Sequence, residues 1–202
     1  MLTKHQEALR LITTSLHKEQ IEWALGGSAL LSVYGLTERT NDLDLFVSAQ
    51  DVLRAHEVLQ KLGEYTVMAP KEPYCTVHFL HYTIAGTEVD LMGLFGIRHE
   101  EGVYRLDWRR HEQDQTLPLP VEGTEETLDI PLASLEDWYI LYSLIPGRSA
   151  KAEAIEGYWE HAGGPEPERL REALSRELPH TLRRRIQLLL GAAGAHDEQE
   201  IV

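Results

Sequence analysis

The chain has 202 residues, with 33 acidic and 19 basic side chains and a net charge of −14. That balance argues against broad, non-specific binding to nucleic acid, which runs on lysine and arginine, although a local basic patch could hold one RNA end. No apolar run approaches the roughly 18 residues needed to span a membrane, and a single cysteine, Cys75, excludes an internal disulfide and fits a reducing, cytoplasmic setting.

Hydrophobic residues at 43% are ordinary for a soluble protein. The length accommodates a core domain plus a smaller helical one. The start, M-L-T-K-H-Q-E, lacks the apolar stretch of a signal peptide. Thr3 to Leu16 reads as an amphipathic helix with Leu9, Ile12 and Leu16 on one stripe, flanked by solvated His5 and His17. I-E-W-A-L, ending at Gly26-Gly27, is short, apolar and stopped by glycines, which suits a buried strand. Ser28 is placed to cap the helix A-L-L-S-V-Y, which Gly35 ends. A glycine pair lets backbone N–H groups approach an anion closely, and the helix start adds a favourable dipole. Strand–Gly–Gly–helix turns are common, so this signal alone is weak.

The next strand opens N-D-L-D-L-F-V. Side chains alternate along a strand, so Asp42, Asp44 and Phe46 share one face and Leu43, Leu45 and Val47 the other. Two adjacent carboxylates repel unless a cation compensates or a pKa rises. Magnesium, a hard ion that favours carboxylate and phosphate oxygens, suits them; the bland alternative is a solvated edge strand with an acidic face. Arg39 either reaches a phosphate or braces the carboxylates, and Thr40 serves as a hydrogen-bond donor in the turn.

Ser48 with Asp51 resembles a capping box for a helix that Gly63 ends. Met68 to Pro73 reads as a loop. Thr76 to Ile84 reads as a strand rich in branched and aromatic residues, and Ala85-Gly86-Thr87 turns it back into T-E-V-D-L-M as a hairpin. There Glu88, Asp90 and Met92 share a face; if this strand neighbours the first, three carboxylates converge. His78 and His81 are three apart, face opposite sides and cannot share a metal; one of the two could border the cleft, but packing or surface roles are the leading expectation. Cys75 reads as a strand core residue. Leu94 to Leu119 is harder to parse, with one strand from Val103 to Trp108 and a charged loop R-R-H-E-Q-D-Q; Arg98, Arg105, Arg109 and Arg110 could guide an anionic substrate, although a solvated face is the leading expectation. Thr127 to Pro131 reads as a short strand. Ser134 and Asp137 cap a helix that Pro146-Gly147 breaks, and further helices are predicted over 150–161, 167–178 and 181–190.

G-G-S, a helix, G-x-x-x-R-x-T-x-D-x-D-L and a later isolated V-D-L together resemble the DNA polymerase beta-like nucleotidyltransferase superfamily. The likeness is greatest to its small bacterial members of the abortive-infection and toxin–antitoxin type. Gly26, Gly27, Ser28, Gly35, Arg39, Thr40, Asp42, Asp44 and Asp90 fall where that pattern places them, across about the first half of the chain. Ile130 to Ser149 resembles, more weakly, the helix that follows the catalytic domain in such proteins. Relatives often carry a lysine where Tyr142 stands and an R-x-K-D run where this chain has R-S-A-K, which leaves Arg148 and Lys151 as the cations of that helix.

The resemblance implies an α+β fold, a nucleotidyltransferase-like mixed β-sheet with helices on one side followed by a C-terminal helical domain. The expected boundaries are a core over 1–131, a helical domain over 132–192 and a flexible tail over 193–202. It also implies transfer of a nucleoside monophosphate from a nucleoside triphosphate (NTP) to a hydroxyl on a protein, an RNA end or a small molecule. Asp42, Asp44 and Asp90 would be catalytic and hold Mg2+ or Mn2+; Gly26, Gly27, Ser28, Arg39, Arg148 and Lys151 would bind the nucleotide. The altered R-S-A-K run supports an alternative, a low-turnover regulatory or antitoxin-like module of the same fold. A third reading makes the acidic cluster incidental in a structural protein. A toxin or antitoxin partner protein is an expectation of the resemblance. A homodimer is expected from Trp138, Tyr139 and Tyr142, which give one helix enough aromatic surface for a contact.

Overall fold

The computed structural model describes residues 2–111, 114–121 and 127–197, with side chains to 191. It divides into two compact units. The first comprises Met1–Lys71, Cys75–Phe95 and Leu106–Ala133; the second comprises Glu72–Tyr74, Gly96–Arg105 and Ser134–Val202.

The first unit is built on a five-stranded mixed sheet in the order β1-β2-β5-β4-β3. Its strands are β1 (Trp23–Leu25), β2 (Leu43–Val47), β3 (Gly63–Val67), β4 (His78–Ile84) and β5 (Thr87–Gly93). The central pair β2 and β5 is parallel, and every other pair is antiparallel. Strand alternation divides the sheet into two faces. Leu43, Leu45, Val89, Leu91, Tyr82 and Ile84 occupy one face with no exposed area, each contributing roughly 1.5–3 kcal/mol of burial. Helix α3 (Val52–Leu59) covers this face. Its Val52 packs onto Gly93, and Nδ1 of its His56 lies 2.8 Å from the Tyr82 hydroxyl. Helix α1 (Gln6–Lys18) packs against α3, burying Leu9, Ile12 and Leu16 as the periodicity predicts. The β1 edge is covered by the chain after β9 (Thr127–Pro131), where Leu132 bridges Leu25 and the Ala133 N–H donates to the Leu25 carbonyl at 2.9 Å. β9 pairs with β8 (Thr116–Pro120).

The second unit holds most of a two-stranded ribbon, β6 (Phe95–His99) with β7 (Gly102–Leu106). Its helices are α4 (Leu135–Leu144), α5 (Ser149–Trp159), α6 (Pro167–Leu174) and α7 (His180–Asp197). Ser134 caps α4 as expected, its Oγ accepting from the Asp137 N–H at 3.0 Å. Asp137 and Arg169 form a buried ion pair at 3.4 Å. Among the described residues no helix is long and apolar enough to cross a membrane.

Several local expectations are corrected. His5 is buried, with its ring nitrogens 3.3 Å from Thr87 Oγ1 and 3.4 Å from the Thr40 carbonyl, and burial pushes its pKa down. Cys75 lies outside any strand and is half-buried. Gly63 opens β3 as well as following α3. Trp138, Tyr139 and Tyr142 are buried within the protomer, so they do not supply the dimer surface expected of them. Helix α7 continues through 193–197, where a tail was expected, and 198–202 lie outside the described residues, as do Glu112 and Gln113 of the charged loop.

Candidate active site

The strand registers place two of the predicted residues, Asp44 and Asp90, in one transverse row with His81 on the face opposite α3. The Gly26 N–H donates to the Asp44 carbonyl at 2.8 Å, at the end of β1. Asp44 on β2 is the direct neighbour of Asp90 on β5, and Asp90 is the direct neighbour of His81 on β4. Directly paired residues point to the same face, so Asp44, Asp90 and His81 project together. The next row on this face, Phe46, Met92 and Phe79, is apolar. Phe46 and Met92 are buried, with Phe95 packed edge-on to Phe46 at 5.7 Å. A carboxylate row thus borders a hydrophobic floor.

The Gly26–Ser28 turn reaches the same row. Helix α2 (Gly27–Val33) begins at Gly27, which has φ +60°, and a Cβ there would lie 1.6 Å from Asp44 Oδ2. Only glycine allows the turn and the carboxylate to approach this closely. Ser28 does not cap α2 as expected. Gly26 holds the extended cap position and makes no side-chain cap bond, while the Ser28 hydroxyl lies within the first turn. Its Oγ is buried without a hydrogen-bond partner among the described residues, a state that costs about 1–3 kcal/mol.

Asp42 sits one residue ahead of β2 and is half-buried. Asp90 has a side chain 17% exposed, and His81 Nδ1 lies 2.6 Å from its Oδ1. The other ring nitrogen of His81 contacts Glu88 Oε2. Burial pushes the Asp90 carboxyl above the usual carboxylate range, against the opposing pull of the His81 hydrogen bond. The His81 pKa is raised, chiefly by its hydrogen bond to Asp90. Arg39 is exposed, and its backbone N–H donates to Thr37 Oγ1 at 3.3 Å. Thr40 is buried and offers its carbonyl to His5.

Arg148 and Lys151 belong to the second unit. Arg148 is the exposed residue before α5, and Lys151 Nζ lies 4.7 Å from the Tyr142 ring centre and 3.4 Å from its hydroxyl.

All the acidic donors are oxygens, the chemistry of a hard divalent cation, and the unpaired Ser28 hydroxyl suits a phosphate oxygen. Among the described residues, no three His, Cys, Asp or Glu side chains are already clustered to hold a metal ion. The register brings Gly26, Gly27, Asp44 and Asp90 into one neighbourhood. It also adds His81, one of the two histidines that could border the cleft, for which packing or a surface role was the leading expectation. The hairpin itself contains that information: a two-residue Ala85-Gly86 turn pairs Ile84 with Thr87 and therefore His81 with Asp90.

No family model matches the sequence, and no curated protein matches it. Solved structures do. A candidate nucleotidyltransferase of Thermotoga maritima superposes with a TM-score of 0.58 and 23% identity, covering 79% of this chain and 94% of that one. The antibiotic-resistance factor ANT(2'')-Ia gives a TM-score of 0.50 and 15% identity, covering 98% of this chain and all of that one. With its mixed five-stranded sheet and C-terminal helices, the chain has a nucleotidyltransferase-like fold.

Proposed function

We propose that this chain is a metal-dependent nucleotidyltransferase that moves a nucleoside monophosphate from an NTP to a hydroxyl acceptor. The observation that carries this reading is the row in which Asp44 and Asp90 are neighbours on parallel strands, with Gly27 held against the Asp44 carboxylate. Asp42, Asp44 and Asp90 would hold Mg2+ or Mn2+, which when bound neutralises charge on the reacting phosphate oxygens. The Gly27 backbone and the Ser28 hydroxyl bind the outer phosphates, and Gly26, whose N–H is held by the Asp44 carbonyl, shapes the turn. Asp90 receives the proton of the acceptor hydroxyl. The acceptor oxygen then bonds to the alpha phosphorus as the bond to pyrophosphate breaks. Positioning and electrostatics supply most of the rate. Arg39, Arg148 and Lys151 are the proposed cations for the triphosphate.

The acceptor classes are a protein side chain, an RNA end and a small hydroxylated compound. The likeness to an antibiotic-resistance factor puts hydroxylated small molecules first in a screen. The test is incubation of NTP labelled on the alpha phosphate with these acceptors and with cell extract. Wild type is expected to label an acceptor, and Asp44→Asn is expected to lose that labelling while keeping its circular dichroism spectrum. Equal labelling by both proteins would remove the active-site assignment.

One observation favours a second reading, a nucleotide-binding module with little turnover and a toxin or antitoxin partner. Lys151, a cation assigned to the nucleotide, is engaged with the Tyr142 ring. That reading predicts Mg2+-dependent NTP binding without labelling of any acceptor.

A further inference from the structure

The β4–β5 hairpin carries Asp90 on one strand and, directly across from it, a histidine to which the transfer scheme gives no role. We infer that His81 is a positioning residue that fixes the Asp90 carboxylate for the transfer reaction; the inference rests on the nucleotidyltransferase reading above.

The register is fixed by a tight turn in which Ala85 and Gly86 both adopt positive φ, 48° and 75°. That geometry belongs to two-residue hairpins and leaves the His81–Asp90 pairing no room to slip. The imidazole then meets the carboxylate edge-on, with Nδ1 2.6 Å from Oδ1. An aspartate's terminal torsion is broad and roughly two-fold, so an isolated carboxylate samples many orientations. A bond to Oδ1 selects one of them and leaves Oδ2 on the side away from the imidazole.

The imidazole is itself held. Its Nε2 contacts Glu88 Oε2, and Thr83 Oγ1 donates to Glu88 Oε1 at 3.4 Å. Each ring nitrogen of His81 thus faces a carboxylate oxygen, Asp90 on one side and Glu88 on the other. Thr83, Glu88, His81 and Asp90 therefore form a chain of contacts along one face of the hairpin. It runs from Glu88, whose side chain is 52% exposed, to Asp90, at 17%. Carboxylates that ligate or react need such outside support to stay oriented, and removing it typically costs 10–100-fold in affinity or activity.

Four variants test the role: His81→Leu, which removes the donor; His81→Asn, whose amide nitrogen can replace Nδ1; Asp90→Asn; and His81→Leu combined with Asp90→Asn. Two readouts are needed, steady-state labelling kinetics and calorimetric titration with Mn2+ alone. His81→Leu is expected to lower kcat about 10–100-fold with KM for NTP changed less than about threefold, and to weaken Mn2+ binding about tenfold. His81→Asn should recover most of both losses. In the Asp90→Asn background, removal of His81 should have no further effect, because its action passes through that carboxylate. A structural role would instead lower the melting temperature of both single His81 variants, with no kcat-against-KM split. Unchanged or tighter Mn2+ binding in a folded His81→Leu protein, or additive losses in the double variant, would overturn the inference while leaving wild-type labelling intact. If wild type itself neither binds Mn2+ with NTP nor labels any acceptor, the transfer reading fails and the role of His81 falls with it.

Discussion

Gly27→Ala probes the contact on which the candidate site is built. The substitution does two things at once. It forces alanine into φ +60°, a left-handed conformation costing about 1–2 kcal/mol for a residue with a Cβ. It also places that Cβ 1.6 Å from Asp44 Oδ2 and 2.5 Å from its Cγ, so the carboxylate must leave its position, at a cost of about 1–3 kcal/mol. Alanine restricts the unfolded chain and returns about 0.4–1 kcal/mol. The net destabilisation is about 1–4.6 kcal/mol, a fall in melting temperature of about 2–18 °C for a chain of this size. Gly35→Ala is the control, because Gly35 has φ +72° with nothing within 4 Å of its added Cβ; it isolates the backbone contribution. Thermal unfolding followed by circular dichroism should therefore rank Gly27→Ala well below Gly35→Ala. In an Asp44→Ala background, where only the Cβ at 3.0 Å remains, the cost of Gly27→Ala should shrink towards that of the control. Equal melting temperatures for Gly27→Ala and Gly35→Ala in the wild-type background would refute the close approach of turn and carboxylate.

Two predictions concern the second unit. Ser134→Ala removes the side-chain cap of α4 and should cost about 1 kcal/mol in urea unfolding, with an unchanged denaturant slope. Glu156 accepts hydrogen bonds from Arg185 and from the Tyr139 hydroxyl, and the bond to Arg185 is the main reason its pKa lies below the ordinary value near 4.5. A depressed carboxylate pKa adds stability that is present above the unfolded-state value and lost as pH falls through the folded-state value. Wild type should therefore melt higher than Glu156→Gln at pH 7, and the gap should close as melting curves are taken down through the region below about pH 4.5. A gap that widens on acidification would contradict this.

The sequence revealed the fold where pattern and burial coincide. Along β5, T-E-V-D-L alternates buried Thr87, Val89 and Leu91 with the less buried Glu88 and Asp90, and in β2 the same spacing sets Leu43 and Leu45 in the core on either side of Asp44. β3 escaped notice because it is an edge strand with four of its five residues exposed, so no buried face left a period in its sequence. β8 contains Pro118 and Pro120, which argue against a central strand but are tolerated in a ribbon whose strands are both edges. α4 is apolar nearly all round, which is the mark of a buried helix and not of an aromatic docking face. At the candidate site, the residue types and spacing of Gly26, Gly27, Asp44 and Asp90 were legible. Two features were not. The contact between His81 and Asp90 depends on cross-strand register, which counting along a single strand does not reveal. The position of Ser28 depends on Gly26 taking the extended cap conformation, φ −125° and ψ −151°, which moves the serine hydroxyl into the first turn.

Calorimetric titration of wild type and Asp44→Asn with each NTP, with and without Mg2+, addresses most directly whether this face of the sheet is a nucleotide site. Saturable wild-type binding that requires Mg2+ and is lost in a folded Asp44→Asn protein is the predicted result. Absence of Mg2+-dependent binding by wild type, or affinity undiminished by the substitution, would contradict it.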